Sequence, residues 1–141
     1  MSYRRNNDFF ELAGKSLFNN CKIFCFNGIP DAYFVVSGRE KNETHTWFNN
    51  KNEIIDIYDS VCPNKDSNCK APKQIKEMFN IAKNLSKNIK FVRIDFLYND
   101  NSVYFGEMTF FHWGGFVPLK PDKWELYFGN KLNIQINKEK D

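Results

Sequence analysis

A single amphipathic helix lies between two groups of β-rich runs, and this order is the feature that most limits the folds open to the chain. Pro72 stands at the start of the helical pattern, where its missing N–H has no partner to lose. Apolar residues then follow at three- and four-residue steps, which predicts one buried stripe. The stripe consists of Ile75, Met78, Phe79, Ala82, Leu85 and Ile89.

The β-rich runs on both sides of the helix predict antiparallel strands. Asn27-Gly28 separates the first two runs, and this dipeptide is typical of a tight hairpin turn. The predicted strands are 22–26, 32–36, 44–48, 53–58, 91–98 and 102–111, with a last helix over 124–132. Four strands in a row, a helix, two more strands and a short C-terminal helix make an α+β fold.

Length and composition favour one compact domain over residues 1–141, with residues 1–21 as an N-terminal extension. Hydrophobic residues make up 42% and aromatic residues 17% of the chain, too much for a disordered protein. The net charge of +3 is nearly neutral for a surface of this size, so it does not favour a nucleic-acid partner. No apolar run reaches the roughly 18 to 20 residues of a transmembrane helix, and no signal peptide is recognisable, so we expect a cytoplasmic protein.

The cysteines and one histidine read as structural residues. Cys21 and Cys25, like Cys62 and Cys69, are spaced too widely for the two-residue pair of a zinc knuckle or redox site, so we predict four free thiols. His45 reads as an ordinary strand residue without a role.

Charged residues near the end of the predicted sheet are the strongest candidates for chemistry. Strand alternation puts Arg93 and Asp95 on one face, and it puts Phe105, Glu107 and Thr109 on one face of the next strand. A hairpin that turns at residues 99–101 brings Asp95 and Glu107 near one another. Two interpretations remain open from the pattern alone. The pair is a Mg²⁺ site, since Mg²⁺ uses one or two such carboxylates, or Arg93 forms a cross-strand salt bridge on a solvated face.

These strands resemble a known family. Residues 91–96 (FVRIDF) and 105–110 (FGEMTF) look like the C-terminal signature of ATP-grasp enzymes, and the closer similarity is to the TupA-like branch of teichuronopeptide and surface-polysaccharide synthesis. Further segments share the resemblance, which runs from about residue 22 to 132: 22–28, 82–86, 115–116 and 121–124. Motif similarity of this kind is a hypothesis that needs its structural context.

The resemblance implies roles for individual residues. Asp95 and Glu107 would bind the Mg²⁺ that bridges the phosphates of ATP, and Arg93 would stabilise negative charge in the reaction. Lys22 stands where the family has the lysine of an Asp-Tyr-Lys stretch and would contact a phosphate. Thr109 replaces an asparagine found in many members, which puts a second metal position in doubt.

His112, in the segment His112-Trp113-Gly114-Gly115, leaves two interpretations open. It follows the acidic strand directly, so it would reach substrate or serve as a general base. The alternative is a tight turn in which His112 packs against Trp113.

The resemblance covers the C-terminal lobe of an ATP-grasp enzyme, so we expect an upstream lobe or partner chain to complete the nucleotide site. With that lobe, the chain would be part of a Mg-ATP-dependent ligase that joins a carboxylate to an amine in cell-surface polymer synthesis. The alternative is a truncated, non-catalytic remnant that acts as a protein-interaction module. A glycosyltransferase-associated protein of polysaccharide gene clusters ranks third. Whether the chain alone is an enzyme stays open.

Overall fold

A five-stranded antiparallel sheet forms the centre of the computed structural model, which describes residues 18–38, 42–59, 62–110 and 119–140. The strand order is β3-β2-β1-β5-β6. The strands are β1 (Asn19–Phe26), β2 (Ile29–Ser37), β3 (Thr44–Phe48), β5 (Phe91–Tyr98) and β6 (Val103–Phe110). A second sheet pairs the two-residue strands β4 (Tyr58–Asp59) and β7 (Leu119–Lys120). The helices are α1 (Ile75–Leu85) and α2 (Lys123–Lys140), the latter longer than predicted.

The turns predicted from short sequence motifs are present in the structure. Asn27 and Gly28 have φ values of 56° and 78°, as a two-residue hairpin turn requires, and they join β1 to β2. Asn99 directly follows β5, and its side-chain Oδ1 accepts hydrogen bonds from the backbone N–H groups of Asn101 and Ser102. This local turn fixes the β5–β6 hairpin. The α+β fold with an antiparallel sheet is confirmed.

The predicted strand over residues 53–58 is wrong. This segment makes one isolated bridge, between Ile54 and Phe48, and its last residue begins β4, which pairs with β7 and not with β3. Ile55 and Ile57 instead pack inward, and Asp56 accepts a hydrogen bond from Trp124 Nε1 at 2.7 Å. The segment therefore pairs with β3 only around Ile54, and its remaining residues hold α2 against the sheet.

The two faces of the sheet bury different cores. The stripe of α1 packs on one face, where Ile23, Ile94 and Met78 are completely buried. Aromatic side chains fill the other face and lie under α2, which adds Phe128 to them; the sheet residues are Phe24, Phe26, Phe34, Trp47 and Phe91. This second face also carries the charged residues of β1 and β5. An ionic site therefore lies beside an aromatic core.

A β-bulge in β6 places Phe105 on the opposite face of the sheet from the one predicted. Asp95 pairs with Glu107, but Phe96 pairs with Phe105, so Gly106 is an extra residue without a partner in the register. Phe105 consequently packs with Met108 against the core under α1. The prediction that Phe105 shares a face with Glu107 is wrong, because a one-residue insertion reverses the alternation. Glu107 and Thr109 keep the predicted side.

Candidate functional site

Three charged side chains meet on the aromatic face, where β1 lies beside β5. The register places Lys22 directly opposite Asp95, and alternation places Arg93 next to Asp95 on β5. Lys22 Nζ lies 3.1 Å from Asp95 Oδ2. Arg93 donates from Nε to Oδ1 at 2.8 Å and from Nη2 to Oδ2 at 3.0 Å, a bidentate contact. We call Lys22, Arg93 and Asp95 the ionic triad.

The ionic triad is largely removed from water. The Asp95 side chain is 2% exposed, whereas those of Lys22 and Arg93 are 17% and 21% exposed. A carboxylate buried to this degree needs charged or hydrogen-bonded partners, because desolvation alone is strongly unfavourable. Two cations surround one anion, so the ionic triad carries one net positive charge. That excess suits a negatively charged ligand such as a phosphate or a carboxylate.

Glu107 lies across from the ionic triad on β6. Its pairing with Asp95 confirms the prediction that a turn at residues 99–101 brings these two acidic residues together. Unlike Asp95, Glu107 is exposed, and its side chain makes no hydrogen bond or ion pair with any residue in the described part of the chain. Thr109 pairs with Arg93 in the next position of the same strands. The two carboxylates therefore differ: one is buried and paired, and the other is open to solvent.

The other interpretation of the pattern, a salt bridge of Arg93 on a solvated face, fits only in part. Arg93 does form an ion pair, but with Asp95 of its own strand, and the cross-strand partner of Asp95 is Lys22. Asp95 itself is buried, whereas Glu107 opposite it is open to solvent. His112 lies outside the described residues, so its predicted place beside the acidic strand is a sequence-based prediction.

Asn20 is a candidate that the sequence analysis did not select. It lies two residues before Lys22 on β1 and therefore on the same face, and it is 2% exposed. Its side-chain Oδ1 is buried without a hydrogen-bond partner among the described residues. An unpaired buried acceptor is costly unless a ligand, a water molecule or an ion satisfies it. Strand alternation with Lys22 is the sequence signal that would have identified it.

The donor set fits a Mg²⁺ ion. A carboxylate has about four lone-pair positions, and Asp95 uses one on Oδ1 and two on Oδ2 for its cations. Oδ1 therefore keeps an acceptor position, and both oxygens of Glu107 are available to solvent. Mg²⁺ requires only one or two carboxylates and completes its octahedron with water and phosphate oxygens.

A family model described as TupA-like ATPgrasp matches residues 10–133 of the chain. The match covers most of the sequence and includes every strand and residue of the site above. This chain belongs to the TupA-like ATP-grasp family. ATP-grasp proteins generally bind ATP and Mg²⁺. The searches of curated proteins and of solved structures found no match.

The matched range, residues 10–133, spans the ionic triad and Glu107. The antiparallel sheet and the two helices agree with an ATP-grasp lobe of α+β type. Neither helix in the described part of the chain is long and apolar enough to cross a membrane.

Proposed function

We propose that this TupA-like chain is the metal- and phosphate-binding C-terminal lobe of an ATP-grasp ligase. The observation that carries the proposal is the arrangement of a buried Asp95, held by Lys22 and Arg93, directly opposite the exposed Glu107. The reaction class is transfer of the γ-phosphoryl group of ATP to a substrate carboxylate, which gives ADP and an acyl phosphate. An amine then displaces the phosphate, loses a proton and forms an amide.

Asp95 and Glu107 are the residues that would hold Mg²⁺. When bound, Mg²⁺ supplies neutralising charge to the phosphate oxygens and orients them for transfer. Asp95 would provide a rigid metal ligand, since its carboxylate is fixed by three hydrogen bonds from Lys22 and Arg93. Glu107 would provide a ligand that Mg²⁺ can reach from solvent, because its carboxylate is exposed on the adjacent strand.

Lys22 and Arg93 supply the positive charge of the site. Lys22, partly exposed, is the residue that would contact a phosphate oxygen, as an ammonium group does in many nucleotide sites. Arg93 presents a planar guanidinium in a mostly buried setting, where an electrostatic contact to developing negative charge is stronger than in water. His112, whose position in the sequence follows β6, is the proposed proton acceptor for the attacking amine.

A second ATP-grasp lobe, on the same polypeptide or on a partner chain, would close over the nucleotide. Effective catalysis of this reaction requires both substrates to be held in reacting geometry, and one face of a sheet holds only part of the nucleotide. Surface-polysaccharide or teichuronopeptide synthesis is the proposed pathway, through the TupA-like family. ATP as a substrate places the proposed reaction in the cytoplasm.

Calorimetric titration of the chain with Mg-ATP tests the proposal, first with the natural sequence and then with Glu107→Gln. Gln keeps the shape of the side chain but is a poor Mg²⁺ ligand, so we expect binding to weaken at least tenfold. Glu77→Gln is the matched control, since Glu77 is an equally exposed glutamate on α1, on the opposite side of the sheet. Equal affinity of all three proteins would show that Glu107 is not a metal ligand.

One observation favours a second candidate function, a non-catalytic interaction module. Both oxygens of Asp95 already have cationic partners within the lobe, so the buried carboxylate is satisfied without a metal ion. A remnant that no longer binds nucleotide would keep this ionic triad for stability alone. Absence of any heat of binding at millimolar Mg-ATP, together with self-association or partner binding in size-exclusion chromatography, would favour this candidate.

A further inference from the structure

A second polar cluster lies at the opposite edge of the sheet, around His45 of β3. His45 Nδ1 is 2.8 Å from Asp59 Oδ2, and His45 Nε2 is 3.2 Å from Glu43 Oε2. The His45 ring stacks on Phe34 with 4.8 Å between ring centroids, so its plane is fixed. Cys62 completes the cluster, and one ligand atom from each of Glu43, His45 and Cys62 lies within 4.8 Å of the others.

Asp59 orients both of the less exposed members of this cluster. Its Oδ2 contacts His45 Nδ1, and its Oδ1 accepts a hydrogen bond from the backbone N–H of Cys62 at 2.6 Å. The Asp59 side chain is 9% exposed, and the His45 side chain is 12% exposed. A carboxylate that receives the N–H of one ring nitrogen leaves the other nitrogen with a lone pair, which is the usual arrangement behind a metal-binding histidine.

The contact between His45 Nε2 and Glu43 indicates that a cation belongs between them. A neutral imidazole has one N–H. If Asp59 receives that N–H, the lone pair of Nε2 faces the carboxylate oxygen of Glu43 at 3.2 Å. Two acceptors at this distance attract one another only when a proton or a metal ion lies between them. The nearby Cys62 sulfur distinguishes a metal ion from a proton, since a thiolate is a strong ligand for soft and borderline metals.

We infer that Glu43, His45 and Cys62 bind one Zn²⁺-type divalent ion, with Asp59 as the hydrogen-bonding partner of the His45 ring. Imidazole, thiolate and carboxylate are typical Zn²⁺ ligands, whereas Mg²⁺ prefers oxygen ligands alone. Ligands of one tetrahedral Zn²⁺ lie about 3.4–3.6 Å apart. His45 Nε2 and Glu43 Oε2 are already at 3.2 Å, and the other separations, at most 4.8 Å, would have to shorten by no more than about 1.4 Å. Glu43 is 40% exposed, which leaves room for water as a fourth ligand.

Binding would deprotonate the Cys62 thiol and release one proton to solvent. The Cys62 sulfur now donates to the backbone carbonyl of Glu43 at 3.3 Å, so the thiol would exchange that hydrogen bond for the bond to the metal ion. No oxidant or reductant is needed.

This zinc site would be separate from the ATP-grasp site. His45 is on β3, and Asp95 is on β5, three strands away in the sheet. With about 4.8 Å between neighbouring strands, the two sites are roughly 14 Å apart. The segment from Cys62 to α1 contains no strand. One backbone contact already ties it to β3, because the backbone N–H of His45 donates to the carbonyl oxygen of Asn64 at 2.8 Å. A metal ion held by β3 and Cys62 would therefore fasten the start of this segment to the edge of the sheet.

The test is titration of the purified full chain with Co²⁺ under reducing conditions, followed by competition with Zn²⁺. We expect one equivalent of Co²⁺ to produce thiolate-to-cobalt charge-transfer absorption, and one equivalent of Zn²⁺ to abolish it. Cys62→Ser should remove the absorption, and Cys69→Ser, the matched control at a partly buried cysteine outside the cluster, should retain it. Asp59→Asn should weaken the Co²⁺ affinity about 10- to 100-fold, as loss of such a partner typically does.

Titration of the unsubstituted protein already tests the inference, even if Cys62→Ser does not fold. The inferred zinc site would be overturned if the natural protein showed no charge-transfer absorption at saturating Co²⁺. It would also be overturned if Cys69→Ser removed the absorption and Cys62→Ser retained it. The role of Asp59 would be overturned if the Asp59→Asn variant had the same circular dichroism spectrum as the natural protein and bound Co²⁺ with the same affinity. The measurement requires no nucleotide, so its failure is distinguishable from failure of the proposed ATP-grasp function.

Discussion

Asp95 and Glu107 face one another across two strands, yet we predict that their substitution by amides has very different effects on stability. Asp95→Asn removes the negative charge that two cations share, while it keeps the shape and one carbonyl acceptor. Asp95 is 1% exposed and accepts three charge-assisted hydrogen bonds, from Lys22 and Arg93. Glu107 is exposed and has no described partner, so Glu107→Gln removes no contact.

The magnitude follows from the burial of the ionic triad. Loss of one partner from a buried ion pair costs about 3–5 kcal/mol. Lys22 and Arg93 remain 17% and 21% exposed, so water partly solvates their charges once Asp95→Asn removes the carboxylate. We therefore expect a loss near the lower limit, about 3 kcal/mol in the free energy of unfolding. For Glu107→Gln we expect a change within about 0.5 kcal/mol, with a slight gain because a like charge opposite Asp95 is removed.

Equilibrium unfolding in urea measures both variants. With an m-value of about 2 kcal/mol/M, Asp95→Asn should lower the urea midpoint by about 1.5 M, and Glu107→Gln should leave it nearly unchanged. Lys22→Met in the Asp95→Asn background should recover part of the loss, because Met keeps the apolar stem and removes one unpaired cation. If Asp95→Asn lowered the midpoint no more than Glu107→Gln, the ionic triad would not stabilise the fold and the reasoning would be refuted.

Three further predictions concern the core, the thiols and the attachment of α2. Phe24 packs against four aromatic rings, three of them stacked, so Phe24→Ala should cost about 3–5 kcal/mol in urea unfolding. A cost equal to that of Phe110→Ala, at an exposed ring, would contradict the packing. Burial raises the pKa of the Cys25 thiol from 9.0 to about 12. The folded state then holds this proton more tightly than the unfolded state, so the contribution of Cys25 to stability should be constant below pH 9 and be lost as pH rises from 9 to 12. Urea midpoints across that range measure the effect, and Cys25→Ala should reduce the slope. Asp31 accepts hydrogen bonds from Tyr127 and Lys131 of α2, so Asp31→Ala should destabilise the fold by about 2 kcal/mol and accelerate amide exchange in α2 more than in α1.

Much of the fold could be predicted because its signals are local. The Asn27-Gly28 turn, the stripe of α1 and the turn after Asn99 each depend on a few neighbouring residues, and each was predicted correctly. The segment over residues 53–58 pairs with β3 only around Ile54, and its β-rich composition could not show where that pairing stops. Beyond Ile54, the side chains of Ile55 and Ile57 pack into the core under α2.

The site was predictable only in part, for the same reason. Alternation along β5 and the length of the turn place Arg93, Asp95 and Glu107 together, because they are within 15 positions of one another and share one hairpin. Lys22 was chosen through family resemblance, and neither its direct contact with Asp95 nor the unpaired oxygen of Asn20 follows from any local pattern. The bulge at Gly106 likewise escaped the alternation rule.

The sequence by itself determined the main strands and helices, the α+β class and the acidic pair of one hairpin, because hydrophobic periodicity and turn chemistry act over a few residues. Only the tertiary structure decided that β1 lies between β2 and β5, and this order brings Lys22 to a carboxylate 73 residues away. It also decided which of the two opposed carboxylates is buried, and it gathered Glu43, His45, Asp59 and Cys62 at one edge of the sheet. Strand order and burial result from how whole faces pack against α1 and α2, and no short segment contains that information.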